Sequence, residues 1–395
     1  MREMLIPYGK HYIDRKDVKS VSKALRAPFI TQGPLIDKFE REVCKYVNVK
    51  YAVAVNSCTA GLQIALQATK IKEKKIITSP VSFVSTANSI LFNNLTPIFS
   101  DINSQNLNLE VIKLKEALKK NKNIKAIIPV HLGGLASNSY ELFRIAKKRG
   151  LFIIEDAAHS FGGKYKDGSK VGSCKYSHMT VFSFHPVKTI TTGEGGVVTT
   201  NSKTLYERLK ILRNHGIQKN SSNFENKNLA FSKNKINPWY YEMIELGYNY
   251  RITDIQCALG LSQLKKLKKI IEKRRKIALY YDKKFSEFKN ITPLQTDGRS
   301  KSSNHLYIIN VNFKKIKLNK SQLMDKLKKI GISSQVHYIP IPLHPYYKKK
   351  GYGVKKISNS LKYYNDALSI PIHYNLKAKE LKKIVDALRK LTDNN

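Results

Sequence analysis

Three short stretches carry residue types that could act together. The first is Leu151-Phe-Ile-Ile-Glu-Asp156-Ala-Ala-His159-Ser-Phe-Gly162, an apolar run ending in a carboxylate, followed by small residues and a histidine. Ligands of open α/β sheets gather at the carboxyl ends of strands, and a buried carboxylate there needs a cation. An Asp in this place equally caps the next turn or binds magnesium. The second stretch is Thr180-Val-Phe-Ser183-Phe-His185-Pro-Val-Lys188-Thr-Ile-Thr-Thr-Gly193-Glu194-Gly-Gly196. A lysine after a strand is a nucleophile only where desolvation or a neighbouring cation lowers its pKa. Taken alone, in a chain this rich in lysine, it reads better as a surface residue. The third is Asn56-Ser57-Cys58-Thr59-Ala60-Gly61-Leu62, directly after the strand-like run Tyr51–Val55. Ser and Thr cap helix starts, and the free N–H groups of the same helix start bind phosphate.

Together the three say more than any one. An anion-binding helix start, a strand-end acid and a lysine 32 residues later meet the demands of pyridoxal 5'-phosphate (PLP): an anchor for the phosphate, an acid for the ring nitrogen, an amine for the aldehyde. Further stretches are Ile30–Gly33, Thr78-Ser-Pro-Val-Ser-Phe-Val-Ser-Thr-Ala87, Leu246–Leu264, Ser302–Tyr307 and Gln335–Ile341. On this set the chain resembles, nearly end to end, the DegT/DnrJ/EryC1/StrS aminotransferases.

The resemblance implies an α/β chain of PLP fold type I, with a mainly parallel sheet in a large domain and a smaller α+β C-terminal domain. It implies transfer of an amino group from L-glutamate to C4 of a UDP-linked 4-keto-6-deoxy-N-acetylhexosamine, in amino-sugar biosynthesis of the pseudaminic acid type. A GDP- or dTDP-linked keto-sugar is the alternative. By the same resemblance Lys188 holds the cofactor and moves the proton, Asp156 pairs with the ring nitrogen, and His159, where many relatives carry Gln, lies by the phenolic oxygen. Thr59, the Cys58 and Ala60 backbone, and Ser183 hold the phosphate, and Phe83 stacks on the ring. Asn249 reaches the phosphate in a neighbouring subunit, which makes a homodimer with shared sites. Tyr8, the turn Pro28, Phe29, Ile30 and Thr31, and the run Asn304, His305, Leu306 and Tyr307 contact the sugar nucleotide. For Phe83, Tyr8 and His305 ordinary packing is an equal reading. Arg251 and His337 are candidates for anionic groups. Rival classes are a PLP-binding regulator and a dehydratase; dehydratase relatives carry His at the lysine position, against Lys188.

These residues need a scaffold. Continuous β-branched runs at 51–55, 75–78, 96–100, 126–130, 151–155, 180–184 and 196–200 read as strands buried on both faces. Helical patterns alternate with them, at 60–68, 139–149 and 204–214, and this order implies a mainly parallel sheet flanked by helices. A long helical stretch at 253–288 reads as a spine between two domains, 1–252 for the cofactor and 253–395 for the link and small domain. There a strand at 306–311, helices at 321–330 and 378–391 and a Pro-rich segment (Pro340, Pro342, Pro345) give an α+β reading. Residues 219–239, rich in Asn, Lys and Ser, read as a mobile loop. No internal repeat is visible.

Composition excludes several classes. Apolar residues make up 42% and charged residues 25%, which argues against disorder. The net charge of +42 invites a nucleic-acid reading, but the lysines are scattered in short groups along the whole chain rather than gathered in one arm. No nucleic-acid partner is expected; the charge favours anionic substrates by steering. Cys44, Cys58, Cys174 and Cys257 form no CxxC pair and no zinc spacing, so no metal is expected. The stretch Met1–Lys10 lacks the apolar core of a leader, and no run is long enough to span a bilayer. A cytoplasmic enzyme without a membrane partner is the expectation.

Overall fold

Seven short apolar runs assemble into one sheet: β1 (Tyr51–Val55), β2 (Lys75–Thr78), β3 (Thr96–Phe99), β4 (Ile124–Ile128), β5 (Phe152–Asp156), β6 (Met179–Ser183) and β7 (Gly196–Thr200). The computed structural model that shows this describes residues 5–353 and 357–393; Met1–Met4 of the N-terminal stretch lie outside it. The strand order is β1-β7-β6-β5-β4-β2-β3. Neighbours are parallel from β3 to β6, whereas β7 runs antiparallel to both β6 and β1.

Alternation along the strands sends side chains to two helical layers. Val53, Val55, Val181 and Val198 pack with helices Cys58–Ala68 and Lys203–Arg213. Ala52, Ala54, Phe182 and Val197 face Phe39 and Val43 of helix Pro34–Val47, and Ile77, Ile127 and Ile153 face Leu114 and Leu142 of two further helices. The α/β class with a mainly parallel, two-sided sheet is as expected.

Two helices that were not among those expected precede the sheet. Arg15–Leu25 starts at a capping box between Asp14 and Asp17, and Pro34–Val47 has Pro at its first turn. The spine expected over 253–288 is two helices, Asp254–Leu264 and Leu267–Phe285. At the break, Lys266 turns to Asp14 (3.1 Å) and to Asp17, tying the helix pair to the N-terminal segment.

The smaller body is a three-stranded antiparallel sheet of Ile291–Pro293, Tyr307–Val311 and Ala367–Ile370. It is covered by helices Lys320–Lys329 and Ala378–Thr392 and the second half of Leu267–Phe285. Leu267, Ile270 and Ile271 belong to the large-sheet core, whereas Ile277, Tyr281 and Phe285 belong to the small one, together with Ile6. Residues 219–239 carry a one-turn helix Lys227–Ala230 and the tiny hairpin Phe231–Ser232/Lys235–Ile236. No helix of the described residues is long and apolar enough to cross a membrane. No group of three or more metal-ligating side chains occurs among them.

Candidate active site

The strand ends β5 and β6 and the helix after β1 converge. Asp156, the last residue of β5, is buried. Its Oδ2 accepts the Thr86 hydroxyl at 2.6 Å and its Oδ1 accepts the Ala158 N–H at 3.2 Å. Burial raises its pKa, and those hydrogen bonds together with the Lys188 charge pull it back. No ion pair holds this carboxylate among the described residues, and a cation set against it would offset the cost of burying its charge. The adjacent acid, Glu155, points to the other face. It takes hydroxyls from Tyr165 (2.6 Å), Thr180 (2.7 Å), Ser177 (3.0 Å) and Ser139 (3.0 Å), and has a structural role there.

Lys188 sits on the connection from β6 to β7. The loop is closed at its base by Phe184 N–H to Gly195 O (2.9 Å) and tightened by Lys188 N–H to His185 O (2.9 Å). Gly193, at φ +84°, makes the turn back. Desolvation pushes the Lys188 amine down to about 8, against the opposing pull of Cys58 and Asp156. It is thus a partly neutral amine at mild pH.

The helix Cys58–Ala68 begins at Ser57, whose hydroxyl accepts the Ala60 N–H at 3.1 Å. The Cys58 and Thr59 N–H groups, with no helical partner at this position, face outward as an anion seat. The Ala60 amide is already engaged by the cap. A Cβ on Gly61 would lie 2.8 Å from Val181 Cγ1, and one on Gly196 would lie 2.8 Å from the Cys58 nitrogen. Only glycine lets the helix start lie this low over β6 and β7. Ser183, buried at the end of β6, accepts the His185 N–H at 3.4 Å.

His159 is buried beside Asp156. Its Nδ1 accepts the Gly133 N–H at 3.3 Å, and its Nε2 lies 3.1 Å from the Tyr338 hydroxyl. An accepting Nδ1 on a neutral ring places the proton on Nε2, and burial with the Lys188 charge keeps the ring neutral. Phe83 is 57% exposed, with its ring 6.0 Å from that of Tyr338, an open aromatic face at the pocket. These features fit PLP: a buried unpaired acid, a lowered amine, free N–H groups for a phosphate, and an aromatic plane.

The remaining expected residues fall in different places. Tyr8 lies against His337, rings 5.2 Å apart. Pro28, Phe29, Ile30 and Thr31 form an exposed turn anchored on the helix that starts at Asp254, through Asp254 N–H to Ile30 O (3.0 Å). The structure gives them no contact with Lys188 or Asp156. Asn249 is exposed, next to Asn56, whose Nδ2 reaches the Asn249 carbonyl at 3.4 Å. Arg251 bonds Asn214 at 2.7 Å.

The run 304–307 is spread over several environments. Only His305 stands at the pocket, its ring 4.4 Å from that of His159. Asn304 is fully buried; its Nδ2 donates to the Arg299 and Ser302 carbonyls, and its Oδ1 has no partner among the described residues. Leu306 is core, and the Tyr307 hydroxyl bonds Asp282 at 2.8 Å inside the small body. Leu306 and Tyr307 pack into the cores on either side of the start of the strand Tyr307–Val311. In their place, Tyr338 and His337 line the site, brought by a segment that bridges Gln335 to Ser369 and gives the Ile341 N–H to Pro80 O at 2.8 Å. Tyr338 and Thr86 are the residues that reading the sequence missed. Thr86 lies within the stretch Thr78–Ala87, but nothing local tells which of its hydroxyls meets Asp156.

Comparison with known proteins agrees with this geometry. A model of the DegT/DnrJ/EryC1/StrS aminotransferase family matches residues 11–389. The UDP-4-amino-4,6-dideoxy-N-acetyl-beta-L-altrosamine transaminase of Campylobacter jejuni subsp. jejuni serotype O:23/36 is 40% identical over 385 residues, 97% of this chain and 96% of the relative. Helicobacter pylori PseC, an aminotransferase involved in the biosynthesis of pseudoaminic acid, is similar in structure. Its TM-score is 0.89 at 33% identity, over 99% of this chain and 100% of that one. The PLP form of the putative sugar aminotransferase Spr1654 from Streptococcus pneumoniae gives a TM-score of 0.88 at 27% identity, over 99% of each chain.

Proposed function

The chain belongs to the DegT/DnrJ/EryC1/StrS aminotransferase family, and on that premise we propose that it moves an amino group from L-glutamate to C4 of a UDP-linked 4-keto-6-deoxy-N-acetylhexosamine. The observation that carries the chemistry is a single one: a desolvated lysine amine, a buried unpaired carboxylate and a free helix start meet at neighbouring strand ends. The likeness to the Campylobacter jejuni transaminase and to Helicobacter pylori PseC supports the UDP sugar and the pseudaminic acid type of pathway.

Pyridoxal phosphate, when bound, supplies an aldehyde that exchanges an amine for a keto oxygen and a ring that draws off the electron pair left by a broken C–H bond. The chain's own groups do the rest. Lys188 would hold the aldehyde through its amine and, once free, would take and return one proton at Nζ. Asp156 stays anionic to keep the ring nitrogen charged, and the Thr86 hydroxyl favours that anion. His159 offers its Nε2 proton, shared with Tyr338, beside the ring. The Thr59 and Cys58 amides and Ser183 hold the phosphate, and Phe83 covers the ring and sheds water from it. Tyr8 and the turn 28–31 meet the sugar nucleotide.

Two further parts complete the reading. A second copy contributes Asn249 to each phosphate seat, so the active unit is a homodimer. Residues 1–252 carry the cofactor and 253–395 the link and smaller body, with the core changing hands inside helix Leu267–Phe285. The reaction is cytoplasmic, in keeping with four free cysteines among the described residues.

The test is direct. Purified protein is incubated with PLP, glutamate and a panel of UDP-, GDP- and dTDP-4-keto-sugars, and the amine is sought by mass spectrometry. The UDP-linked N-acetyl sugar should be aminated, and borohydride should tag Lys188. Amination of only the GDP or dTDP sugars would move the substrate; no tag on Lys188 would overturn the chemistry.

A further inference from the structure

We propose that His305 and His337 form the seat for the amino donor's α-carboxylate, an inference that rests on the aminotransferase reading above. Both rings are buried, 5% and 6% exposed. His305 lies against His159, and its Nδ1 has no hydrogen-bond partner. His337 meets the Ser369 hydroxyl through Nδ1 at 2.9 Å, leaving its other nitrogen uncommitted. No protein group among the described residues bonds Nε2 of either ring.

The surroundings of the pair are settled. His305 is faced by His159, Lys188, Arg274 and His337. The Arg274 Nη1 is spent on the carbonyls of Asn304, His305 and Ile372, at 3.4, 3.1 and 2.9 Å. His337 is faced by Lys188, by the Tyr8 and Tyr338 rings at 5.2 and 4.9 Å, and by Tyr363, whose hydroxyl bonds the His337 carbonyl. Burial and the Lys188 charge hold His337 at about 3 and His305 well below its ordinary value, so both are neutral at pH 7.

The two substrates pose opposite demands at one place. Glutamate carries a carboxylate on the reacting carbon itself, so that anion must sit within a few bonds of Lys188. The keto-sugar carries only uncharged neighbours at C4. A permanent guanidinium would suit the first and stay buried and unpaired with the second, at a cost. Neutral imidazoles serve both: they hydrogen-bond the sugar, and an arriving carboxylate favours their protonated form. The pocket thus takes up positive charge with the donor and loses it before the sugar enters.

The holoenzyme is titrated by calorimetry with 2-oxoglutarate, in two buffers of different ionisation enthalpy. Proton uptake is expected in the wild type and should be lost in His305→Gln and His337→Gln. In steady state each variant should raise the KM for glutamate at least about tenfold, the loss of one charge-assisted hydrogen bond. The KM for the keto-sugar should move less than about twofold. Ser369→Ala should shift the glutamate KM in the same direction by less, and with His337→Gln it decides the matter if His305→Gln does not fold. An unchanged glutamate KM and unchanged proton uptake, or equal loss for both substrates, overturns the inference. Failure of the wild type to load PLP on Lys188 would instead overturn the aminotransferase reading.

Discussion

At the scale of single residues the site is an exercise in keeping charge where burial opposes it. Thr86 is the plainest case. Its hydroxyl reaches Asp156 at 2.6 Å and favours the ionised acid. Thr86→Val should therefore raise the Asp156 pKa further and move the acidic limb of the kcat/KM profile to higher pH, by about one unit if one charge-assisted bond is lost; Thr86→Ser should leave it in place. Lys188 shows the reverse. Its folded value of about 8 lies below the ordinary 10.5, so the cofactor-free fold carries the cost of a desolvated ammonium. That cost is whole below pH 8 and is gone above the unfolded value. Lys188→Met should stabilise the cofactor-free protein at pH 7, by roughly 3 kcal/mol, with almost none of that gain left near pH 10.5. Thermal melts of stripped protein at the two pH values check this, and equal shifts at both would refute it. Asp156 stood out in the sequence because it ends a strand-like run in a residue that burial would not otherwise tolerate, and Lys188 only through its conjunction with that acid and the helix start after β1. Tyr338 did not stand out: its bond to His159 joins positions 179 residues apart, and no local pattern announces a partner that distant.

At the scale of elements, the phosphate seat depends on how closely helix Cys58–Ala68 lies over β6 and β7. Gly196 allows it, since a Cβ would strike Ser57 and Cys58 backbone atoms at 2.8 Å. Gly196→Ala should weaken PLP retention by about tenfold or more, as a lost or misplaced hydrogen bond to phosphate would, measured by equilibrium dialysis. The Gly193 position has open space around it, so Gly193→Ala should cost only about 1 kcal/mol of backbone strain and leave PLP retention within about twofold. All seven strands were readable, because strands buried on both faces are continuous apolar runs. The helix Arg15–Leu25 was not: it buries only Asp17 and Ala24, whereas Pro34–Val47 buries Ile36, Phe39, Val43 and Val47 at helical spacing and was open to reading. The break at Lys266 escaped notice too, since it is set by Asp14 and Asp17, far away in the chain.

At the scale of the whole molecule, a charge of +42 works against compactness and for the capture of anions. Raising ionic strength from about 0.01 to 0.5 M shortens the screening length to a few ångströms. The melting temperature of the protein should rise and the association rate of a sugar nucleotide should fall; insensitivity of both to salt would show that the lysines are already neutralised. The two-body plan was foreseeable from the change of pattern near Arg251. The placement of Ile6 in the small core was not, because one apolar residue in a short segment carries no period. The position of β7 also dictates when the enzyme can mature. β1 leaves the ribosome early, yet its neighbour in the sheet begins 141 residues downstream, Val55 pairing with Gly196. At bacterial-range elongation rates that is roughly 7 to 28 s, during which the nascent chain shows a bare strand edge and a phosphate-binding helix without its floor of Val181 and Val198. Vitamin capture must therefore wait for the sheet to be closed from its far side, and fragments released before Thr200 should emerge colourless and sticky.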